Sequence, residues 1–98
     1  MTRQPEDDHV RTATLRELAE LSGRPFELIH DELRLREDLN LDSLAALEAV
    51  VVLEERYGLE ITDAELAGLR SVGDLVRTIG AAVDPASPAA HRARRGTP

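Results

Sequence analysis

Residues 39–58 read LNLDSLAALEAVVVLEERYG. The spacing predicts a helix from about Ser43 to Tyr57, stopped by Gly58. Asp42 stands where a helix cap belongs, its carboxylate able to accept from the free amides of the first turn. Ala46, Ala49, Val50, Leu53 and Tyr57 recur at intervals of three and four, which makes one apolar stripe for a core. Leu44, Leu47 and Val51 make a second stripe, rotated from the first and flanked by Glu48, Glu54 and Glu55. A surface helix in a small domain needs only one buried stripe. The second is therefore either covered by a neighbouring loop or left bare as a contact face.

Working outward, Phe26 to Leu41 is rich in Leu but holds no steady period, and reads as a long loop with a single helical turn, packed down by its apolar side chains. A loop of that length points to a functional role. Before it, a helix is expected from about Val10 to Leu21, with Thr14 and Glu17 as a capping box and Thr12 as a competing cap. Ser22-Gly23-Arg24-Pro25 ends it, Gly23 being suited to a left-handed cap. Beyond Gly58, Thr62 or Asp63 caps a short helix near Ala64 to Ala67. Ser71 and Asp74 then open a last helix with Val72, Leu75, Val76 and Ile79 on its buried face and Gly80 after it. The expected organisation is a disordered N-terminus over 1–9, one domain over 10–80 and a disordered Ala-, Pro- and Arg-rich tail over 81–98. The fold class is all-α: a small four-helix bundle of three main helices and one short one, with a long loop between the first two main helices.

Composition narrows the function classes. The chain of 98 residues has no cysteine, so disulfides and thiolate metal sites are excluded. No stretch approaches the roughly 18 apolar residues of a membrane span, and the first residues lack the apolar core of a secretory signal, so a soluble cytoplasmic protein is expected. All twelve basic residues are Arg, which fits a bacterial protein from a GC-rich genome. Residues 31–65 hold eleven acids against three Arg, a net charge of −8 out of −7 for the whole chain. Such a surface repels nucleic acid and membrane headgroups and steers basic protein partners, although charge alone equally describes a solvated face.

Enzymatic patterns are missing. His9, His30 and His91 have no metal-ligand spacing, no serine sits in a G-x-S-x-G elbow, and the six glycines are scattered singly. What remains is Leu39-Asn40-Leu41-Asp42-Ser43-Leu44, where the long loop meets the strongest helix. A helix start offers free amides and partial positive charge to a phosphate group. With Asp42 as cap, Ser43 falls on the first helical position with its hydroxyl toward solvent. Taken alone, the dipeptide is also an ordinary capping pair.

The run from Leu35 to Tyr57, LREDLNLDSLAALEAVVVLEERY, resembles the carrier-site region of acyl carrier proteins, of the free-standing type. There an Asp-Ser-Leu follows a loop and opens an apolar and acidic second helix that ends in an aromatic. The resemblance extends over about residues 12–80. It implies a non-enzymatic, monomeric carrier with a covalent 4′-phosphopantetheine arm on Ser43, attached from coenzyme A by a phosphopantetheinyl transferase with Mg²⁺ that recognises Asp42. It further implies that Leu44, Leu47, Glu48, Val51, Glu54 and Glu55 meet acyl-loading and ketosynthase-type enzymes of a polyketide, other natural-product or fatty-acid pathway. The sequence departs from the family in having Asn40 where glycine is usual, and Ala45 where an acid is frequent. Asn tolerates left-handed backbone angles, so the turn can survive. The two departures favour a specialised pathway. A peptidyl or aminoacyl carrier would place glycine at Leu41; an unmodified helical adaptor would use the acidic helix without the arm.

Overall fold

A computed structural model describes residues 5–83, with side chains from His9 onward. Four helices follow in order: α1 Pro5–Ser22, α2 Ser43–Tyr57, α3 Asp63–Ala67 and α4 Val72–Val83. A 3-10 turn at Phe26–Leu28 interrupts the long loop. No strand forms among the described residues; a single antiparallel bridge joins Arg34 to Ser71. The expected four-helix, all-α architecture is the one found.

α1 packs against both α4 and α2. Leu18, Leu53, Leu75, Ile79, Val50 and Val72 are fully buried at the centre. Aliphatic side chains fill this core, and Phe26 and Tyr57, the only aromatics, sit half-buried at its edge.

The caps explain why the elements stop where they do. The Asp42 Oδ1 accepts from the Ala45 amide at 2.9 Å, as the cap position predicts. Thr62 and Glu65 form a reciprocal capping box at α3. Ser71 and Asp74 do the same at α4: the Asp74 amide donates to Ser71 Oγ at 3.1 Å and the Ser71 amide to Asp74 Oδ2 at 3.1 Å. Gly23 and Gly58 take left-handed φ of 73° and 67° at the ends of α1 and α2.

Two helix limits differ from expectation. α1 begins at Pro5 instead of Val10, inside the stretch 1–9 expected to be disordered. Proline is well placed at a first helical position, and Glu6, Asp7 and Asp8 beside it favour the positive helix end. Thr14 is therefore no cap. It lies buried mid-helix, its hydroxyl donating to the Val10 carbonyl at 2.8 Å, and Thr12 is mid-helix too. At the other end α4 continues through Gly80 to Val83, past the expected boundary at residue 80, because Ala82 is buried and packing offsets the weak helix preference of glycine. The rest of the expected tail, 84–98, lies outside the described residues, as does the start of the expected disordered stretch, 1–4.

The long loop is held by backbone bonds as well as by burial. Ile29, Leu35, Leu39 and Leu41 are buried. The Leu35 amide donates to the Arg70 carbonyl, Val72 to Leu33 and Gly73 to Asp31, all at 2.9–3.0 Å. Arg11 of α1 closes the far side with an ion pair to Asp31 at 2.9 Å. Leu28 does not pack down with the others; it is exposed on the 3-10 turn.

Candidate functional site

The site is built by the last residues of the loop and the first of α2. Between Arg34 and Leu41 the chain folds back on itself: Asp38 and Leu39 amides donate to the Arg34 carbonyl, and the Leu41 amide donates to the Leu35 carbonyl at 2.8 Å. Asp38 Oδ2 accepts from the Arg34 amide at 2.7 Å. The turn is completed by Asn40 at φ 57°, the one non-glycine residue with left-handed φ among those described. Buried Leu39 and Leu41 pin this turn from both sides of Asn40. The next residue, Asp42, is extended and hands the chain into α2.

Ser43 is the first residue of α2 and is exposed. Its hydroxyl makes no hydrogen bond to any described residue. Of the first-turn amides, that of Ala45 is taken by the Asp42 carboxylate and that of Ala46 by the Asp42 carbonyl. The serine oxygen thus stands at the positive end of a 15-residue helix without being used by it.

Along α2 the two stripes separate as their spacing predicts. Ala49, Val50 and Leu53 are buried. Leu44 is 66% exposed, Leu47 41% and Val51 39%, so the loop does not cover them. Val52, at 37%, joins the open face although the sequence reading left it unplaced. Glu48 and Glu55 are exposed beside these side chains.

Glu54 is the exception and corrects the expected partner face. It is buried, and its Oε2 accepts from the Ile61 amide at 2.7 Å. Its backbone carbonyl accepts from Gly58 and Leu59. The side chain turns inward because the left-handed residue Gly58 folds the chain back over it. The Glu54 carboxylate is therefore engaged inside the fold, unlike those of Glu48 and Glu55.

A cleft of about 630 Å³ opens beside Ser43, between the loop at 32–37, the start of α2 and the link at 69–71. Sequence reasoning missed its far wall, Arg36, Arg70 and Ser71. The available signal was that two of the three arginines in the acidic stretch stand at 34 and 36. Asp74 tightens the link behind it. Burial pushes its carboxyl up, but the amides of Arg70 and Ser71, the Arg77 guanidinium and the Ser71 hydroxyl outweigh this and hold it below the usual carboxylate range.

The chemistry of this site is limited and specific. Among the described residues no group of His, Asp or Glu is placed to hold a metal ion, and no helix is long and apolar enough to cross a membrane. A phosphodiester on Ser43 fits what is present: a reachable hydroxyl, a helix start with its cap already satisfied, and an adjoining cleft with room for a linear group.

Comparison with known proteins bears on the chemistry from another direction. Residues 12–79 match the model of the phosphopantetheine attachment site family. The meromycolate extension acyl carrier protein of Mycobacterium tuberculosis (strain ATCC 25618 / H37Rv) is 42% identical over 62 residues, 63% of this chain and 54% of the relative. The chain thus spans about half the length of the meromycolate extension relative it matches. The acyl carrier protein of Rickettsia bellii (strain OSU 85-389) is 31% identical over 72 residues, covering 74% of this chain and 89% of that protein. That of Acidothermus cellulolyticus (strain ATCC 43068 / DSM 8971 / 11B) is 35% identical over 69 residues, 70% and 82% of the two chains. With the family match spanning most of its helical bundle, this chain belongs to the acyl carrier protein family, whose group is a covalently attached 4′-phosphopantetheine.

Proposed function

We propose that this chain holds acyl intermediates as thioesters on a 4′-phosphopantetheine arm at Ser43 and presents them to biosynthetic enzymes, contributing no catalytic group of its own. The observation that carries the reading is the exposed, unbonded hydroxyl of Ser43 at the first position of α2, with Asp42 already serving as the cap. In the loading step the Ser43 oxygen attacks the pyrophosphate of coenzyme A on a transferase that supplies Mg²⁺ and the base. A new P–O bond forms at Ser43, the pyrophosphate bridge breaks, adenosine 3′,5′-bisphosphate leaves and the hydroxyl proton goes to the transferase's base. The arm's terminal thiol then supplies the thioester linkage.

What this chain's residues do is hold and present. Asp42 fixes the first turn of α2, so the attached phosphate stays beside the helix start. Leu44, Leu47 and Val51, with Glu48 and Glu55 around them, form the face offered to the transferase and to later enzymes. Small apolar contacts ringed by acids favour weak, fast, salt-sensitive encounters with basic partners, which suits a shuttle. Tethering raises the cargo's effective concentration at each docked active site. The relatives named for meromycolate extension support acyl-chain extension of the fatty-acid type as the pathway, with polyketide and other natural-product assembly using the same carrier chemistry. The proposed setting is a monomer in the bacterial cytoplasm.

The test is intact-protein mass spectrometry after incubation with coenzyme A, Mg²⁺ and a phosphopantetheinyl transferase. The wild-type chain gains one phosphopantetheinyl group and Ser43→Ala gains none. No gain in the wild type leaves an unmodified helical adaptor; a gain that persists in Ser43→Ala places the arm elsewhere.

A further inference from the structure

The cleft beside Ser43 carries charge in an arrangement that the attachment step does not require. Three arginines (Arg34, Arg36, Arg70) and three acids (Glu32, Glu37, Asp42) line it. Every acid is engaged. Glu32 Oε1 lies 3.0 Å from His30 Nδ1, and Glu32 is held below the usual carboxylate range by its own backbone amide and by His30. Glu37 Oε2 lies 4.0 Å from Arg34 Nη1. Asp42 caps α2. The guanidinium groups of Arg36 and Arg70, by contrast, have no hydrogen bond or ion pair among the described residues.

The backbone brings the two segments that carry these cations together. The Leu35 amide donates to the Arg70 carbonyl at 2.9 Å, and the bridge from Arg34 to Ser71 lays the two segments side by side. Arg36 and Arg70 stand beside this short antiparallel contact, and both line the cleft that Ser43 lines. Arg36 belongs to the stretch of net charge −8 and Arg70 stands just beyond it, so two unanswered cations line the cleft next to the point of attachment.

We infer that Arg36 and Arg70 form an oxyanion-binding wall of the cleft, which draws in an anionic group carried by the arm. This rests on Ser43 as the attachment point. The shared chemistry is a weakly hydrated guanidinium meeting an oxyanion. Two sources can supply it: the arm's own phosphodiester, or a carboxylate on the acyl cargo. Each exposed pair contributes roughly a two- to fivefold preference, enough to bias the arm without trapping it.

Nitrogen-15 NMR of the arginine side chains and of the Leu35 and Ser71 amides decides between them. Four forms are compared: apo, holo, butyryl-loaded and succinyl-loaded, the last two differing only by a terminal carboxylate. If the phosphodiester is the ligand, the signals of Arg36 and Arg70 move between apo and holo and stay there in both loaded forms. If the cargo carboxylate is the ligand, they move only with succinyl. In either case the shifts of the Leu35 and Ser71 amides vanish in the double variant R36Q/R70Q. Signals that stay put in all four forms overturn the inference, as do shifts of the neighbouring amides that survive in R36Q/R70Q. If the transferase leaves Ser43 unmodified, the attachment reading fails separately. Titrating free 4′-phosphopantetheine against pantetheine into the apo protein then decides the wall: shifts of Arg36 and Arg70 with the phosphate ester alone support it, and equal responses overturn it.

Discussion

The two ends of α2 are built in opposite ways. Its C-terminal end is tied down: Gly58 turns left-handed, the Glu54 carbonyl takes the amides of Gly58 and Leu59, and the Glu54 carboxylate is buried against the Ile61 amide. At its N-terminal end Asp42 alone takes the amides of Ala45 and Ala46, and Ser43 is left exposed with a spare hydroxyl. The difference teaches how a domain this small can hold a modification site steady. The helix is anchored where chemistry is absent, so the end that meets enzymes need carry no structural duty beyond its cap.

That contrast can be broken from either side. The largest stability effect is expected from Glu54→Ala, which strands the buried Ile61 amide and costs about 1–3 kcal/mol; Glu55→Ala, one residue along and exposed, stays within about 0.5 kcal/mol. Urea denaturation of both measures the gap, and equal losses would remove the claim that Glu54 is a latch. Next comes Gly58→Ala. It forces a Cβ into φ 67° with open space around it, so only backbone strain opposes it, at about 1–2 kcal/mol. Asp42→Ala deletes the single cap of the open end, and about 1 kcal/mol is the expected loss in the same assay. The smallest effect belongs to Ser43→Ala, within about 0.5 kcal/mol, because the hydroxyl bonds nothing in the described structure. A Ser43→Ala loss as large as that of Asp42→Ala would mean the oxygen has a structural role and the two ends are alike.

Much of this was legible in the chain, and the particulars show why. Asp42, Gly58, Ser71 with Asp74, and the two stripes of α2 are local signals, fixed within one or two turns of the residues that read them. Asn40 as a left-handed substitute for glycine was readable for the same reason, since few other residues tolerate that backbone. Glu54 was misread as part of the acidic partner face. Its inward turn depends on Gly58 bringing Ile61 back over the helix, a contact seven residues away that helical spacing does not encode. The start of α1 lies ahead of the expected Val10 because Pro5 and the acids after it, and not an apolar stripe, carry the signal. The wall of Arg36 and Arg70 joins residues 34 positions apart through a backbone pairing outside any regular sheet, and no local pattern reports it.

The most direct measurement is peptide-level tandem mass spectrometry of the loaded protein. Four serines, at positions 22, 43, 71 and 87, compete for the arm, and Ser71 lines the same cleft as Ser43. Ser71, however, is half-buried, and its oxygen is committed to the Asp74 amide. The account predicts the whole phosphopantetheinyl mass on the peptide fragment containing Ser43, with Ser71 unmodified. Modification of Ser71, or of any serine other than Ser43, would contradict it.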